Sequence, residues 1–166
     1  MNSMTRKRRN AWLTLLVATA ILLALDLILK SWASANLMGQ PSRDLIPGIL
    51  GLTFTRNTGA AFGILGNFSW GRWVLTGLKI VLMLGILWYY DYLPYTKKHW
   101  LLRIPLILIL AGGLGNLFDR VAFGYVRDML AFLFFNFPIF NLADIFVTVG
   151  CFVGAFVMLF VIKDTL

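Results

Sequence analysis

The 166-residue sequence contains no glutamate: its seven acidic residues are all aspartate. It has one histidine, His99, and one cysteine, Cys151. A lone cysteine excludes an intrachain disulfide, and one His with one distant Cys excludes a zinc site of the familiar kinds. Serine is scarce, and the chain has neither a G-x-S-x-G elbow nor a Walker A loop. Charge of either sign is also short. Only 13% of residues are charged against 60% hydrophobic, and the mean hydropathy is +0.81. A soluble domain carries about twice that share of charge, so a soluble globule and a disordered chain are both excluded. Chemistry in this chain must run mainly on aspartates and amides.

What the chain does have is long apolar runs. Residues 11–25 are uncharged, and apolar character resumes after Asp26 as far as Lys30. The stretch exceeds a signal-peptide core and lacks a convincing cleavage site, so it predicts an uncleaved first span over about 11–33. Further spans are predicted over about 71–90, with Lys79 as the only interior charge, about 103–119, and about 142–162. The expected fold is all-α integral membrane: one domain over 1–166, with four transmembrane helices in a compact bundle. Arg6–Arg9, Lys97, Lys98, Arg103 and Lys163 all fall on one side of such a topology. The positive-inside bias then predicts both termini in the cytoplasm, and explains the net charge of +8 without a nucleic-acid partner.

Two outward segments remain, 34–70 and 120–141. Leu52 and Phe54 alternate with Thr53 and Thr55, which predicts a half-buried strand ended by the Asn57-Thr-Gly59 turn. An open sheet edge is costly in hydrocarbon, so this small sheet is expected at the outer interface. The aromatic run Met129–Phe140 predicts a segment dipping into the interface. Gly112, Gly113 and Gly115 suit close helix packing.

The polar residues inside this apolar frame carry the functional signal, because a charge at mid-bilayer costs roughly 2.5 kcal/mol or more on insertion scales. Asp26 and Lys30 stand at i and i+4, which reads as a structural ion pair near the outer end of span one. Asn116-Leu-Phe-Asp119 and Asn141-Leu-Ala-Asp144 repeat one pattern at the outer ends of spans three and four, and Asp128 lies between them. Two carboxylates sharing a proton can act together as acid and base, which is a peptide-bond hydrolysis device when Ser, Cys, His and metal are all missing. Asn141 with Asp144 also fits a helix cap, and Asp119-Arg120 fits a headgroup anchor. Spacing alone leaves open which pair acts.

Five motifs, in order, resemble those of the lipoprotein signal peptidases, the signal peptidase II family of bacterial membranes. They are Asp26-x-x-x-Lys30, Asn57-Thr-Gly59-Ala-Ala-Phe62, Gly112-Gly-Leu-Gly-Asn116-Leu-Phe-Asp119-Arg120, Tyr125-Val-Arg-Asp128-Met129, and Phe137-Pro-Ile-Phe-Asn141-Leu-Ala143-Asp144. The resemblance implies an aspartic endopeptidase that removes the signal peptide of diacylglyceryl-modified prolipoproteins, cutting before the lipidated cysteine. It implies Asp128 and Asp144 as the catalytic dyad and Asp119 as a supporting residue. Asp26, Lys30, Asn57, Gly59, Gly112, Asn116, Arg120, Asn141 and Ala143 are implied as substrate-binding or site-shaping. An outward β-cradle and a mobile loop or short helix within about 60–70 are implied as well. No cofactor or metal is expected, the partners are prolipoproteins and membrane lipids, and the protein is expected to be a monomer of the bacterial inner membrane with its site near the outer face. Two features depart from the family pattern. Arg127 precedes Asp128, where the adjacent cation is expected to favour an ionised carboxylate, and the Asp128–Asn141 segment is short and Phe-rich. The competing readings are a proton- or ion-coupled transporter relaying through Asp26, Asp119 and Asp144, and a non-catalytic assembly protein. Against a transporter, the inner halves of spans one, three and four are apolar.

Overall fold

The structure, a computed structural model, describes residues 3–59 and 71–162. The first helix, α1 (Ser3–Asn36), has 34 residues and rises about 50 Å, well beyond the roughly 30 Å hydrocarbon core. It starts ahead of the expected span because neither Pro nor Gly occurs before Gly39 to stop it. Its buried residues, Ala11, Leu15, Thr19, Asp26, Lys30 and Ala33, form a single stripe at helical spacing. Leu16, Val17, Ile21 and Ile28 are exposed on the other faces, an apolar surface suited to lipid.

Helix α2 (Gly71–Tyr92) runs antiparallel to α1. Tyr90 donates to the Ala11 carbonyl at 2.8 Å, and Trp12 Nε1 donates to Asp91 at 2.8 Å. The turn into α3 (Lys97–Phe123) is organised by Arg103, which is fully buried. Its guanidinium donates to the carbonyls of Tyr90, Leu93 and Pro94 at 3.2, 2.7 and 3.0 Å. These acceptors at a helix C-terminus have no intrahelical donor, and the cation also complements the helix dipole there. Helix α4 (Leu142–Phe156) continues into a π-helical turn at Val157–Val161. It packs closely on α3: a Cβ on Gly150 would meet the Pro105 carbonyl oxygen at 2.9 Å and Ile109 Cγ1 at 2.7 Å.

At the end of the bundle where α1 and α3 finish, three strands form one antiparallel sheet in the order β1-β2-β3. They are β1 (Arg43–Ile46), β2 (Leu50–Asn57) and β3 (Val126–Phe132). Pro47 and Gly48, the latter at φ +70°, make the β1–β2 turn, closed by Ile49 N donating to Ile46 O at 3.0 Å. Ala33, Leu37 and Met129, with Leu52, Phe54 and Leu130 packed against them, seat the sheet on the end of α1. Thr55 stands opposite Asp128 in the β2–β3 register.

The fold is thus all-α integral membrane with a small open sheet. Among the described residues, three helices are long and apolar enough to cross a membrane, Ser3–Asn36, Lys97–Phe123 and Leu142–Val161; α2 stands where the second span is expected. The strand expected around 52–56 extends over Leu50–Asn57. Within the 120–141 segment, α3 continues to Phe123 and Val126–Phe132 forms a paired strand, an element the sequence does not announce. Met129–Phe135 is almost continuously apolar, so it carries no alternation to read; pairing with β2 makes it a strand. β1 is four exposed residues and has no sequence signal at all. The loop or short helix expected within 60–70 lies outside the described residues.

Candidate active site

Helix α3 approaches α4 at Gly112, where an added Cβ would collide with the Ala143 carbonyl oxygen and meet Val147 Cγ2 at 2.9 Å. A Cβ on Gly115 would collide with the Asp26 carboxylate. This close approach brings the ends of α1, α3 and α4 together at the sheet. Gly112→Ala is expected to lower the thermal unfolding midpoint. Alanine has the better helix propensity by about 1 kcal/mol, but pushing a backbone carbonyl costs about 1–3 kcal/mol. An unchanged or raised midpoint would show that the two helices can separate freely.

Beneath the sheet lies a buried ionic layer. Lys30 Nζ is 2.8 Å from Asp26 Oδ2 and 3.7 Å from Asp119 Oδ2, and all three side chains are 0% exposed. Asp26 Oδ1 accepts from the Ala143 backbone N–H at 2.9 Å, placing a carboxylate at the positive end of α4. Asp119 is held by Arg127: Nη2 donates to Oδ1 at 2.7 Å, and the Arg127 backbone N–H donates to Oδ2 at 2.9 Å. Arg127 therefore turns away from its neighbour Asp128, because successive side chains of a strand point to opposite faces. The expectation that this cation keeps Asp128 ionised is corrected by that geometry.

Above this layer the amides form a chain. Asn116 Oδ1 accepts from Lys30 Nζ at 2.9 Å and from Asn141 Nδ2 at 3.1 Å, while its Nδ2 donates to Asp144 Oδ1 at 2.8 Å. Asn141 caps α4: its Oδ1 accepts from Asp144 N at 3.0 Å, and its own N–H donates to Asp144 Oδ2 at 3.1 Å. The cap and the functional candidate are one arrangement, since Asn141 Nδ2 also donates to Asp128 Oδ1 at 2.6 Å. Asn57, at the end of β2, donates to Asp128 Oδ2 at 2.9 Å, and its Oδ1 accepts from Gly59 N at 3.1 Å. Arg120 Nη2 donates to the Gly59 carbonyl at 3.1 Å. Each oxygen of Asp128 and Asp144 thus accepts from an amide, and among the described residues no cation is hydrogen-bonded to either.

Asp128 and Asp144 both line a cavity of about 640 Å³ between α2, α3, α4 and β3, together with Asn57, Asn116 and Arg120. Asp119 does not line it. Burial pushes the Asp128 carboxyl up to about 6, against the donated bonds of Asn57 and Asn141, and the nearby Asp144 charge adds to the rise. Such a carboxyl holds a proton where an ordinary aspartate has lost it, as acid–base chemistry on a carboxylate pair needs. The Phe-rich segment packs on itself, with the Phe132 ring centroid 5.0 Å from Phe140 and 5.2 Å from Phe135, and Phe132, Phe137 and Phe140 form an apolar wall of the cavity. Sequence reading has no place in the site for Lys79, which also lines the cavity; an ionisable residue within an apolar span was the available signal. Among the described residues, no group of His, Cys, Asp and Glu side chains suits a metal ion.

Residues 18–160 match the family model described as Signal peptidase (SPase) II. The lipoprotein signal peptidase of Streptococcus thermophilus is 43% identical over 134 residues, covering 81% of this chain and 84% of that one. That of Lactococcus lactis subsp. lactis is 37% identical over 150 residues, covering 90% and 95%. A solved bacterial membrane enzyme superposes with a TM-score of 0.76 at 25% identity, over 89% of this chain and 93% of its own. A carboxylate pair lining an apolar cavity, in a chain matched over most of its length, leads to one conclusion: this protein belongs to the signal peptidase II family, aspartic peptidases that remove the signal peptides of lipoproteins.

Proposed function

We propose that Asp128 and Asp144 are the catalytic dyad of this peptidase, and that it acts on diacylglyceryl-modified prolipoproteins by cleaving before the lipidated cysteine. The observation that carries this reading is the different surroundings of the three candidate acids. Asp128 and Asp144 face one cavity and share Asn141, whereas Asp119 is enclosed by Arg127 and Lys30. In the reaction the ionised member draws a proton from water, whose oxygen adds to the scissile carbonyl carbon. The protonated member then gives its proton to the leaving nitrogen as the C–N bond breaks. The products are a carboxyl group on the signal peptide and an amine on the lipidated cysteine. Substrate affinity comes mainly from the acyl chains and the signal helix, at about 0.8 kcal/mol per buried CH₂.

The other residues divide by position. Asn57 and Arg120 line the cavity and contact substrate, with Gly59 bonded between them; Asn116 and Asn141 orient the dyad. Asp26, Lys30, Asp119, Gly112 and Ala143 hold the helix ends that carry it. The topology that suits this chemistry is a single domain of four spans over about 11–33, 71–90, 103–119 and 142–162, acting as a monomer. Both termini are cytoplasmic and the dyad lies near the outer face, where the acyl chains hold the cleavage point; the lysine and arginine distribution supports this orientation. Purified full-length enzyme should cleave a lipidated prolipoprotein, leave its unlipidated form intact, and keep its rate when divalent ions are chelated. Equal cleavage of both forms, or a rate lost on chelation and restored by a divalent ion, would overturn the reading.

A further inference from the structure

Lys79 is the one charged residue of α2 between Trp73 and Tyr90. Its side chain lines the cavity, yet among the described residues none accepts a hydrogen bond from its ammonium or forms an ion pair with it. A cation within a span without a partner is costly, and its retention points to a ligand.

Packing gives its depth. A Cβ on Gly113 would stand 3.2 Å from Met83 Sδ, so Met83 of α2 and Gly113 of α3 lie level. The two helices are antiparallel, so one turn towards the sheet is Lys79 on α2 and Asn116 on α3. Asn116 donates to Asp144 Oδ1 at 2.8 Å. Lys79 is therefore at the depth of the Asp144 carboxylate, on the wall contributed by a different helix.

We propose that Lys79 binds the carboxylate that hydrolysis leaves on the signal peptide. The inference rests on the reading of Asp128 and Asp144 as the dyad. Hydrolysis replaces the neutral scissile amide with a carboxylic acid, formed by water hydroxide on the carbonyl carbon, and an amine bearing the transferred proton. The acid then loses a proton to solvent, so an anion appears in the largely apolar cavity that the dyad lines. With the dyad holding one shared proton, Lys79 and Arg120 leave the cavity walls with one net positive charge. The single carboxylate of the product neutralises it. Arg120 is already engaged with the carbonyls of Gly59 and Asn116, at 3.1 and 3.4 Å, which leaves Lys79, among the described residues lining the cavity, as the cation available to take the new anion.

The test is equilibrium binding to the full-length protein in nanodiscs. The probes are two synthetic peptides of one sequence, an apolar helix of about 20 residues ending in alanine, one with a free C-terminal carboxylate and one amidated. Wild type should bind the carboxylate form at least about tenfold more tightly. Lys79→Met and Lys79→Gln should abolish that preference and Lys79→Arg should keep most of it, with affinity for the amide the same throughout. Undiminished preference in both Lys79→Met and Lys79→Gln, or no preference in wild type, overturns the proposal. Binding needs no turnover, so an error in the dyad assignment shows separately, in the cleavage rates of the aspartate variants.

Discussion

Asp128→Asn and Asp144→Asn are each expected to slow single-turnover cleavage of a lipidated prolipoprotein by about 10³-fold or more, the scale of a lost general acid or base. Both should still fold and bind substrate, because each asparagine occupies the volume of the aspartate it replaces. The double variant should be little slower than either single one, since members of one catalytic unit are not additive. Asp119→Asn should differ in kind. Its carboxylate serves Arg127 and Lys30, so the variant should lose stability and keep measurable cleavage. Near-normal turnover in Asp128→Asn, with Asp119→Asn folded but dead, would move the dyad to Asp119 and Asp144. The same variants carry a pH signature. Asp128 holds its proton to about 6, against 3.8 for an ordinary aspartate. The folded state then binds that proton more tightly than the unfolded chain, a contribution complete below 3.8 and lost as pH rises through about 6. Asp128→Asn lacks that dependence, so its thermal midpoint should gain on that of wild type as pH rises from 4 to 7. A gap constant with pH would show that burial does not raise the carboxyl.

The second large effect is expected at Lys30. Its ammonium is wholly buried between Asp26 and Asp119 and donates to Asn116. Lys30→Met strips the layer of the cation nearest Asp26, leaving a buried carboxylate whose one remaining hydrogen bond among the described residues comes from the Ala143 N–H. Breaking a buried ion pair from one side costs about 3–5 kcal/mol. Thermal stability and cleavage should fall together, and Asp26→Asn in the Lys30→Met background should restore part of the stability by removing the unpaired charge. A Lys30→Met protein with the wild-type midpoint and no turnover would place Lys30 in the chemistry instead of the scaffold.

Much of this protein is determined by the sequence read by itself. A chain with so few charges and such long apolar runs has no stable soluble form, so a membrane fold follows from composition. The helices fall where the uncharged runs are, and the strand at Leu52–Thr55 follows from alternation. Five ordered motifs were enough to indicate the family. The tertiary structure decided what periodicity cannot carry. Met129–Phe132 is a strand because β2 offers it hydrogen bonds, and its uniformly apolar side chains hide that from any period. Asp119, Asp128 and Asp144 look alike along the chain, each an acid near a helix end or turn. Only the crossing of α1, α3 and β3 buries Asp119 against Arg127 and leaves the other two on the cavity. Asn141 reads equally as a cap and as a site residue, and in three dimensions it is both, because its Oδ1 faces the α4 amide while its Nδ2 reaches Asp128. Lys79 shows the same division. Its charge is visible in the sequence, but its depth is set by Met83 lying against Gly113, a contact between two helices that no spacing along the chain encodes.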